Sequence, residues 1–348
     1  MTTFGDQLFE NGGVPVGIGG GGSLRLPPRQ AYFVDATNGL DNNTGKSWES
    51  AFKTIQAACT KANSASQVLK DTDIYVGRGL YEETVSLSRA ASALGSGVML
   101  WADGGQTAAG IGTIRLIAGD NVFLHNGAAA TAPALYIGRP CVEVHNFGTI
   151  KNTSAISNTA GNWDSPDNHT ISEHGMPAVF IERNYNADAY TGGAANKVKI
   201  VNCRINGDGQ TDQGSVLSMG VLQLFVINCI IEYGDNYGLA IVGSDVGSTA
   251  ENLVQGCIFN QNTDTDILHG SLVTSWIDSC IFANPNATAH LSKYGSEANA
   301  LYCTMTNCSI PSETTLAKII SAGNSTFASA GTQTGHAGTG IGDSDLVS

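Results

Sequence analysis

The sequence predicts an all-β protein: a right-handed single-stranded parallel β-helix with an N-terminal capping helix and Gly-rich terminal arms. Three observations lead to this fold class. The composition favours short strands joined by turns, and a segment of about 26 residues recurs five times around a cysteine. In addition, the N-terminal segment has the strand, loop and helix order that closes one end of a solenoid.

The composition is that of a folded chain with many turns. Of 348 residues, 42% are hydrophobic, which is enough for one elongated domain or two compact ones with a sizeable core. Only 14% are charged, whereas glycine occupies 43 positions. Long surface helices need Lys and Glu, so this balance favours short strands.

Five segments superpose around a cysteine. Each has an apolar residue three positions before the cysteine and another two positions after it. The segments are IVNCRI at 200–205, VINCII at 226–231, VQGCIF at 254–259, IDSCIF at 277–282 and MTNCSI at 305–310. The cysteines at the shared position are Cys203, Cys229, Cys257, Cys280 and Cys308.

The residue before each cysteine predicts a bend. It is Asn202, Asn228, Gly256, Ser279 or Asn307. These residue types tolerate a left-handed backbone or bond their own main chain in a tight turn. The cysteines follow one another at a nearly constant interval, which has the length of one solenoid turn, or rung, of three short strands with loops. At about 4.8 Å per rung, the cysteines are expected to form an interior ladder.

A weaker copy of the repeat lies upstream. VEVHNFGTI at 142–150 places Asn146 and Phe147 at the bend and ladder positions, and Phe147 precedes Cys203 by twice the usual interval, which indicates two rungs. The solenoid is therefore predicted to begin well before the first ladder cysteine. A globular β-sandwich with coincidental spacing is the alternative. Leucine-rich repeats are excluded, because no asparagine–leucine consensus recurs at their shorter period.

The cysteines are predicted to be structural. The chain has eight, and those of the ladder are expected to be reduced, buried side chains instead of disulfides or metal ligands. Cys303 and Cys308 are close together, but no second pair and no nearby histidine completes a zinc site. No metal and no cofactor is expected.

The N-terminal segment predicts a cap over the open end of the solenoid, where strand edges and core would otherwise be exposed. Residues 31–58 contain a strand, a loop rich in Asn, Asp and Gly, and then the start of a helical apolar pattern. The apolar positions of that helix are Trp48, Phe52, Ile55, Cys59 and Ala62, and Ser47 is its expected N-cap.

Together with DIYVGRGLYEETVSL at 73–87, this stretch resembles the N-terminal segment of pectate-lyase-like right-handed β-helix proteins, of the kind found in tailed-bacteriophage virions. The resemblance is carried by the strand, loop and helix order and by the pattern Val76, Gly79, Tyr81. It covers about residues 31–90 specifically, and the rest of the chain only through the rung pattern. It implies a fold, not an activity.

Domain boundaries follow from these patterns. The predicted parts are a Gly-rich anchoring arm at 1–30, the N-terminal strand and capping helix at 31–72, the parallel β-helix at 73–328 and a flexible tail at 329–348. The arm is either a disordered terminus or an anchor that lies along another subunit or a particle. Its anchoring residues are expected to be Leu8, Phe9, Val14, Pro15 and Val16.

The loop with Asp35, Asn38, Asp41 and Asn43 has the residue types of a calcium site. Asx-rich turns with glycine are common without a metal, and the loop lacks the glutamate that closes an EF-hand. Turn chemistry is therefore the expectation, with calcium as the alternative.

One polar excursion is a candidate enzymatic site. GNWDSPDNHTISEHG at 161–175 contains Trp163, Asp164, Asp167 and Glu173. The tryptophan is suited to stack on a sugar ring, as a glycan-binding residue, while the carboxylates act as acid and base. A solvated, turn-forming loop accumulates the same residue types without a catalytic role, and this second interpretation is preferred.

A second candidate is NTDTDILHG at 262–270, which contains Asp264 and Asp266. Its Asn-Thr-Asp and His-Gly sequences resemble two polygalacturonase motifs. In that family the two motifs lie on different coils and are separated by a paired-aspartate motif, whereas here they are nearly adjacent. The similarity is expected to be coincidental.

An acidic patch is predicted from two pairs of residues about one rung apart, Asp208 with Asp212 and Glu232 with Asp235. No Arg-x-Lys or similar basic clamp for an acidic polysaccharide lies beside them. A uronate lyase would lack its charge-neutralising group at such a patch. The chain has no nucleophile elbow, Walker loop, dinucleotide fingerprint or zinc-protease motif. Catalysis is therefore not predicted by any motif.

Charge and hydropathy exclude two classes of partner. The formal net charge of −13 disfavours nucleic acid. No long uninterrupted apolar window occurs, so membrane insertion is not expected, and the first ten residues lack the basic and apolar regions of an export signal.

Three function classes fit these observations. The first, implied by the resemblance, is a structural virion protein of a tailed bacteriophage: a trimeric capsid decoration or cement protein, or a short surface spike anchored by the arm. Its partners would be copies of itself and a major capsid protein or other virion protein, at the virion surface after synthesis in the host cytoplasm. The second is a tailspike that binds or cleaves a host surface glycan, and the third a secreted polysaccharide lyase.

Overall fold

The computed structural model describes most of the solenoid. The described residues are 29–64, 67, 70–88, 112–127, 132–153, 177–182, 195–208, 214–221, 223–242, 250–269, 273–283, 289–293, 302–306, 308, 326–328 and 346–347. Their strands form three sheets, here named A, B and C, in which the paired strands are parallel. The predicted parallel β-helix is confirmed.

Each rung adds one strand to sheet A, one to sheet B and one to sheet C, in that order. The chain begins with β1 (Gln30–Val34) in sheet A and α1 (Ile55–Ala62). Seven complete rungs then follow within the described residues: rung 1, β2 (Thr72–Val76), β3 (Gly79–Glu82), β4 (Val85–Leu87); rung 2, β5 (Ile114–Ile117), β6 (Val122–His125), β7 (Leu135–Ile137); rung 3, β8 (Val142–His145), β9 (Thr149–Lys151), β10 (Pro177–Glu182); rung 4, β11 (Val198–Val201), β12 (Arg204–Asn206), β13 (Gly214–Met219); rung 5, β14 (Gln223–Ile227), β15 (Ile230–Glu232), β16 (Tyr237–Val242); rung 6, β17 (Ala250–Gln255), β18 (Ile258–Asn260), β19 (Thr265–His269); rung 7, β20 (Val273–Asp278), β21 (Ile281–Phe282), β22 (Ala289–Lys293). Sheet A continues with β23 (Tyr302–Thr306), β24 (Thr326–Ala328) and β25 (Leu346–Val347).

Alternating side chains in each strand build the interior. In β8, Val142 and Val144 are buried, while Glu143 and His145 face outward. Rungs stack in register, so Val142 lies beside Val198 of the next rung. Each aliphatic side chain buried in such a column contributes about 1.5–3 kcal/mol to folding.

The bend between sheets A and B has the predicted left-handed backbone. The φ angles are 53° at Asn202, 52° at Asn228, 63° at Gly256 and 54° at Ser279. The cysteine that follows each bend turns inward, and its thiol donates to a carbonyl of the rung before it. Cys229 Sγ lies 3.5 Å from Ile200 O, and Cys257 Sγ lies 3.4 Å from Val226 O.

All five ladder cysteines are buried thiols outside any disulfide, as predicted: Cys203, Cys229, Cys257, Cys280 and Cys308. Burial raises the pKa of the Cys203 thiol. A protonated thiol inside the core is a poor nucleophile, so Cys203 acts as packing.

The interval between Phe147 and Cys203 is one rung, so the prediction of two is wrong. β8 pairs directly with β11, and Asn202 Nδ2 donates to Asn146 Oδ1 at 3.1 Å. The additional residues fall at 154–176 and 183–194, on either side of β10 and outside the described residues. A search for a regular period cannot recognise a rung that is lengthened by long connections.

The predicted helix begins later than its apolar spacing indicates. Ser47 precedes a short 3₁₀ turn, Trp48–Ser50, and α1 begins at Ile55 with Thr54 as its N-cap, whose side chain accepts from Ala57 N. Phe52 is extended instead of helical, because its backbone N donates to Phe33 O at 2.9 Å.

The buried face of α1 belongs to the solenoid core, and its members are Ile55, Ala58, Cys59 and Ala62. The helix contacts β1, β2 and β4. No helix of the described part is long and apolar enough to cross a membrane.

Alkylation of thiols tests the buried ladder. Iodoacetamide is expected to leave Cys229 and Cys257 unmodified in the native protein and to modify both after denaturation, as measured by peptide mass spectrometry. Cys141, which is only partly buried, is the internal comparison and is expected to react faster. Native Cys229 reacting as fast as in the unfolded chain would contradict the ladder.

Candidate functional site

Several predicted site residues lie outside the described residues. They are the carboxylates Asp164, Asp167 and Glu173, the glycan-stacking candidate Trp163, and the arm residues Leu8, Phe9, Val14, Pro15 and Val16. Their roles stay predictions. Of the candidate carboxylates, Asp264 and Asp266 can be placed.

Asp264 and Asp266 have opposite environments although they are two residues apart. Asp264 is exposed, and its backbone N donates to Asp235 O at 2.9 Å. Asp266, in β19, is completely buried. One carboxylate is therefore in solvent and the other is sealed.

Asp266 belongs to a buried polar cluster at the turn from sheet B to sheet C. His290 Nδ1 lies 2.6 Å from Asp266 Oδ2, and Asn262 Nδ2 donates to Asp266 Oδ1 at 2.8 Å. Asn262 Oδ1 accepts from Gly234 N at 3.0 Å. The cluster therefore links rungs 5, 6 and 7.

His290 is a residue that sequence reasoning missed. It lies in β22, which pairs with the strand of Asp266, β19, so that Thr265 aligns with Ala289. The histidine and the aspartate are consequently neighbours in adjacent rungs. Only the rung register, applied to polar residues as well as to the cysteines, predicts this contact.

A carboxylate that orients an imidazole is the arrangement that activates a general base. Here both side chains have no exposed surface, and the ring of Phe282 lies 5.5 Å from the His290 ring between centroids. A substrate cannot reach the pair in this conformation. The cluster holds rungs together, since a buried charged or polar group is tolerated when its partners are in place.

Two substitutions in this turn separate a structural from an exposed role. Asp266→Ala is expected to lower the free energy of unfolding by about 3–5 kcal/mol, because His290 and Asn262 lose a buried partner. Thr263→Ala, at an exposed position three residues away, is the matched control and is expected to change it by less than about 0.5 kcal/mol. Urea unfolding followed by circular dichroism measures both. Equal, small effects would contradict the structural role of Asp266.

Two carboxylates of the predicted acidic patch, Glu232 and Asp208, are paired with basic side chains of adjacent rungs. Arg204 binds Glu232 through two hydrogen bonds, Nε to Oε1 at 2.6 Å and Nη2 to Oε2 at 3.0 Å. Lys151 Nζ lies 2.5 Å from Asp208 Oδ1. Each pair joins two adjacent rungs at sheet B or just after it. Asp212 lies outside the described residues.

In the loop that has calcium-type residues, carboxylate oxygens accept hydrogen bonds from main-chain N–H groups. Asp35 Oδ1 accepts from Thr37 N at 2.8 Å. Asp41 Oδ1 accepts from Lys53 N at 3.0 Å and from Thr54 N at 2.8 Å, which fixes the entry to α1. Among the described residues, no group of three or more His, Cys, Asp or Glu is arranged to hold a metal ion.

The outer face of sheet C is buried and apolar. Its column of aligned residues consists of Tyr136, Phe180, Leu217 and Ala240. The Tyr136 hydroxyl donates to Glu182 Oε2 at 2.8 Å, and Glu182 is also buried. In rungs 2 to 5 this face is therefore closed to solvent, whereas the next residue of the column, Leu268 of rung 6, is half-buried.

Sheets A and B differ from sheet C, because their outer faces expose apolar groups in rungs 5 to 7. We name the following set the edge surface: Phe225, Leu253 and Trp276 of sheet A, and Ile230, Ile258 and Ile281 of sheet B. Trp276 is 54% exposed, Ile281 44% and Ile230 37%, whereas Phe225, Leu253 and Ile258 are half-buried. Clustered apolar groups that reach the surface mark sites of interaction.

The same column of sheet A is charged in the earlier rungs. Asp73, Arg115, Glu143 and Lys199 follow one another with alternating sign. Arg115 Nη2 lies 2.7 Å from Asp73 Oδ2, and Lys199 Nζ lies 3.3 Å from Glu143 Oε1. The change from paired charges to apolar groups at rung 5 sets the boundary of the edge surface.

Comparisons with known proteins give the fold. No family model and no curated protein matches the chain. Among solved structures, the pectate lyase Pel9A matches with 12% identity and a TM-score of 0.51, over 92% of this chain and 78% of that one. Escherichia coli YbhC matches with 14% identity and a TM-score of 0.51, over 95% and 84%. A pectin methylesterase from Aspergillus niger matches with 12% identity and a TM-score of 0.47, over 89% and 88%. The first two likenesses show a shared parallel β-helix fold.

Proposed function

We propose that this chain is a structural surface protein of a tailed-bacteriophage virion, a capsid decoration or cement protein or a short spike that assembles through its edge surface. The single observation that supports assembly is the edge surface itself. The virion setting comes from the resemblance of residues 31–90 to β-helix proteins of such particles. Copies of the chain and a major capsid or other virion protein are its proposed partners.

The physical reason for assembly is the free-energy cost of leaving apolar side chains in contact with water. Each Å² of apolar surface removed from water contributes about 25 cal/mol. Isolated side chains of this kind are normal on a protein surface, but a continuous group across three rungs and two sheets is typical of a contact area. A partner that covers the edge surface therefore stabilises the assembly.

Attachment is proposed to depend on the N-terminal arm. A variant that lacks residues 1–29 is expected to fold, with an unchanged circular dichroism spectrum, and to be absent from purified particles that carry the full chain. Electron microscopy of particles with labelled protein measures its position. If particles bind the shortened chain as strongly as the full chain, the anchoring role is contradicted. If purified particles lack the full chain, the virion role is contradicted.

A second candidate, favoured by a different observation, is a tailspike that binds or cleaves host surface polysaccharide. Tyr233 is 38% exposed, and near it lies Arg204, whose half-exposed guanidinium is fixed by the buried carboxylate of Glu232. An aromatic ring beside fixed hydrogen-bonding groups suits a sugar. One solved structure of the same fold is a pectate lyase. A secreted polysaccharide lyase is the third class.

Incubation with capsule or lipopolysaccharide from the host separates these classes. A tailspike is expected to bind and to release oligosaccharides, and a lyase to release products with a new double bond. Tyr233→Ala is expected to weaken binding at least tenfold, whereas Leu80→Ala, an exposed residue of rung 1, leaves it unchanged. If the protein neither binds the polysaccharide nor releases products from it, both carbohydrate classes are contradicted.

A further inference from the structure

The thiols of the cysteine ladder form one continuous row along the solenoid. Cys257 Sγ lies 3.4 Å from Val226 O, and Cys280 Sγ lies 3.6 Å from Val254 O. Because each thiol contacts the equivalent carbonyl of the rung before it, the cysteine side chains keep one orientation from rung to rung. The sulfur atoms are therefore stacked in a line inside the core.

Neighbouring thiols in this row also contact one another. Hydrogen bonds join Cys229 to Cys257, Cys257 to Cys280 and Cys280 to Cys308. The strands on either side of these cysteines are paired in register, which aligns the cysteines of consecutive rungs. Aligned Cα atoms about 4.8 Å apart lie within the roughly 4.4–6.8 Å that a disulfide spans. Consecutive cysteines can consequently be linked with little movement of the backbone.

We propose that the ladder is a redox-active row of thiols, which a small disulfide such as oxidised glutathione converts into two disulfides, Cys229–Cys257 and Cys280–Cys308, leaving Cys203 as a thiol. Because this chemistry uses only the ladder, it goes beyond the proposed assembly function and does not depend on it. A protein that passes from a reducing to an oxidising environment thereby gains covalent links between its rungs.

The reaction begins at Cys308, which is 4% exposed, whereas Cys257 and Cys280 have no exposed surface. The Cys308 thiol attacks the small disulfide, passes its proton to the released small thiolate and becomes part of a mixed disulfide. Hydrogen bonds from the thiols of Cys257 and Cys308 lower the pKa of Cys280, which favours its thiolate. Attack by Cys280 on Cys308 forms the protein disulfide and releases a second small thiol. Two protein thiols are oxidised, and one small disulfide is reduced to two thiols.

Thiol–disulfide exchange then moves the new bond along the row. Cys257 attacks Cys280, which gives a Cys257–Cys280 bond and returns Cys308 to a thiol. Cys229 attacks Cys257 in the same way and returns Cys280 to a thiol. Each exchange forms one S–S bond, breaks one and transfers one proton from the attacking to the leaving thiol. A second small disulfide then links Cys280 to Cys308.

Cys203 is the member of the row that is left over. Five thiols can form two disulfides between consecutive rungs, and pairing from the Cys308 end uses the other four. On its far side, Cys203 is aligned with Phe147 of the preceding rung, where Arg204 N donates to Phe147 O at 3.1 Å. The row of thiols therefore ends at Cys203, next to an apolar ring.

Oxidised glutathione tests the proposal on the full-length protein. The substitutions Cys141→Ser and Cys303→Ser remove the cysteines outside the ladder except Cys59, which is completely buried. After incubation of the native protein and removal of the reagent, intact mass spectrometry is expected to show the loss of four hydrogens. An unchanged mass, or the mass of a glutathione adduct alone, would overturn the proposal.

Peptide mapping of the same sample identifies the linked cysteines. Chymotryptic peptides that contain Cys229 and Cys257 are expected to be joined, as are those that contain Cys280 and Cys308. Cys203 is expected to react with iodoacetamide after denaturation. A disulfide that includes Cys203 would contradict the proposed pairing.

Two alanine variants in the same background supply the matched control. Cys203→Ala is still expected to lose four hydrogens. Cys280→Ala is expected to lose only two, because Cys257 and Cys308 are two rungs apart, at about 9.6 Å, and a disulfide spans at most about 6.8 Å. Both variants replace a buried ladder thiol by the same side chain, so they share the loss of packing. Equal losses of hydrogen in the two variants would overturn the row.

Urea unfolding measures what the links do. Oxidation is expected to shift the midpoint of unfolding to a higher urea concentration, because a cross-link restricts the unfolded chain. Dithiothreitol is expected to return the midpoint to its original value, and Cys280→Ala is expected to show a smaller shift than Cys203→Ala. A midpoint that does not change on oxidation would contradict the linking of rungs.

Discussion

The one-residue left-handed bend between sheets A and B is the constraint on which the solenoid depends. A non-glycine residue in this conformation is unfavourable, and asparagine tolerates it best among the residues with side chains. Asn202 and Asn146 offset that cost by joining their amides between adjacent rungs at 3.1 Å. Because the bend turns the next side chain inward, it places Cys203 and its equivalents in the core and fixes which strand residues are buried in both sheets.

The register of the rungs then determines which side chains meet inside the solenoid and which meet on its surface. Inside, the same stacking that aligns the cysteines brings Asp266 and His290 together and seals them. Outside, it gathers charges of opposite sign into the pairs of rungs 1 to 4 and collects exposed apolar groups into the edge surface of rungs 5 to 7. Repetition in register produces an extended edge with aligned apolar side chains, and this edge surface is the basis of the proposed function in assembly.

The sequence predicted the features that repeat, and it missed those that depend on contacts between rungs. The frame around Cys203, Cys229, Cys257 and Cys280 is confirmed, because one-residue bends and buried ladder positions leave a local pattern. The single rung between Phe147 and Cys203 was missed because long connections hide it. The start of α1, the position of His290 and the pairing of Glu232 with Arg204 are set by neighbours that are distant in the chain, which leave no local signal.

The pairing of β8 with β11 tests the rung register most directly, because the sequence separation between these two neighbouring strands is the longest among the described rungs. The outward residues Glu143 and Lys199 are aligned in this pair. Neighbouring strands bring aligned Cα atoms to about 4.8 Å, within the roughly 4.4–6.8 Å that a disulfide spans. The variant Glu143→Cys, Lys199→Cys is expected to lose two hydrogens by intact mass spectrometry after mild oxidation. Glu143→Cys, Phe225→Cys, which spans two rungs, is expected not to. No disulfide in the first variant, or equal formation in both, would contradict the register.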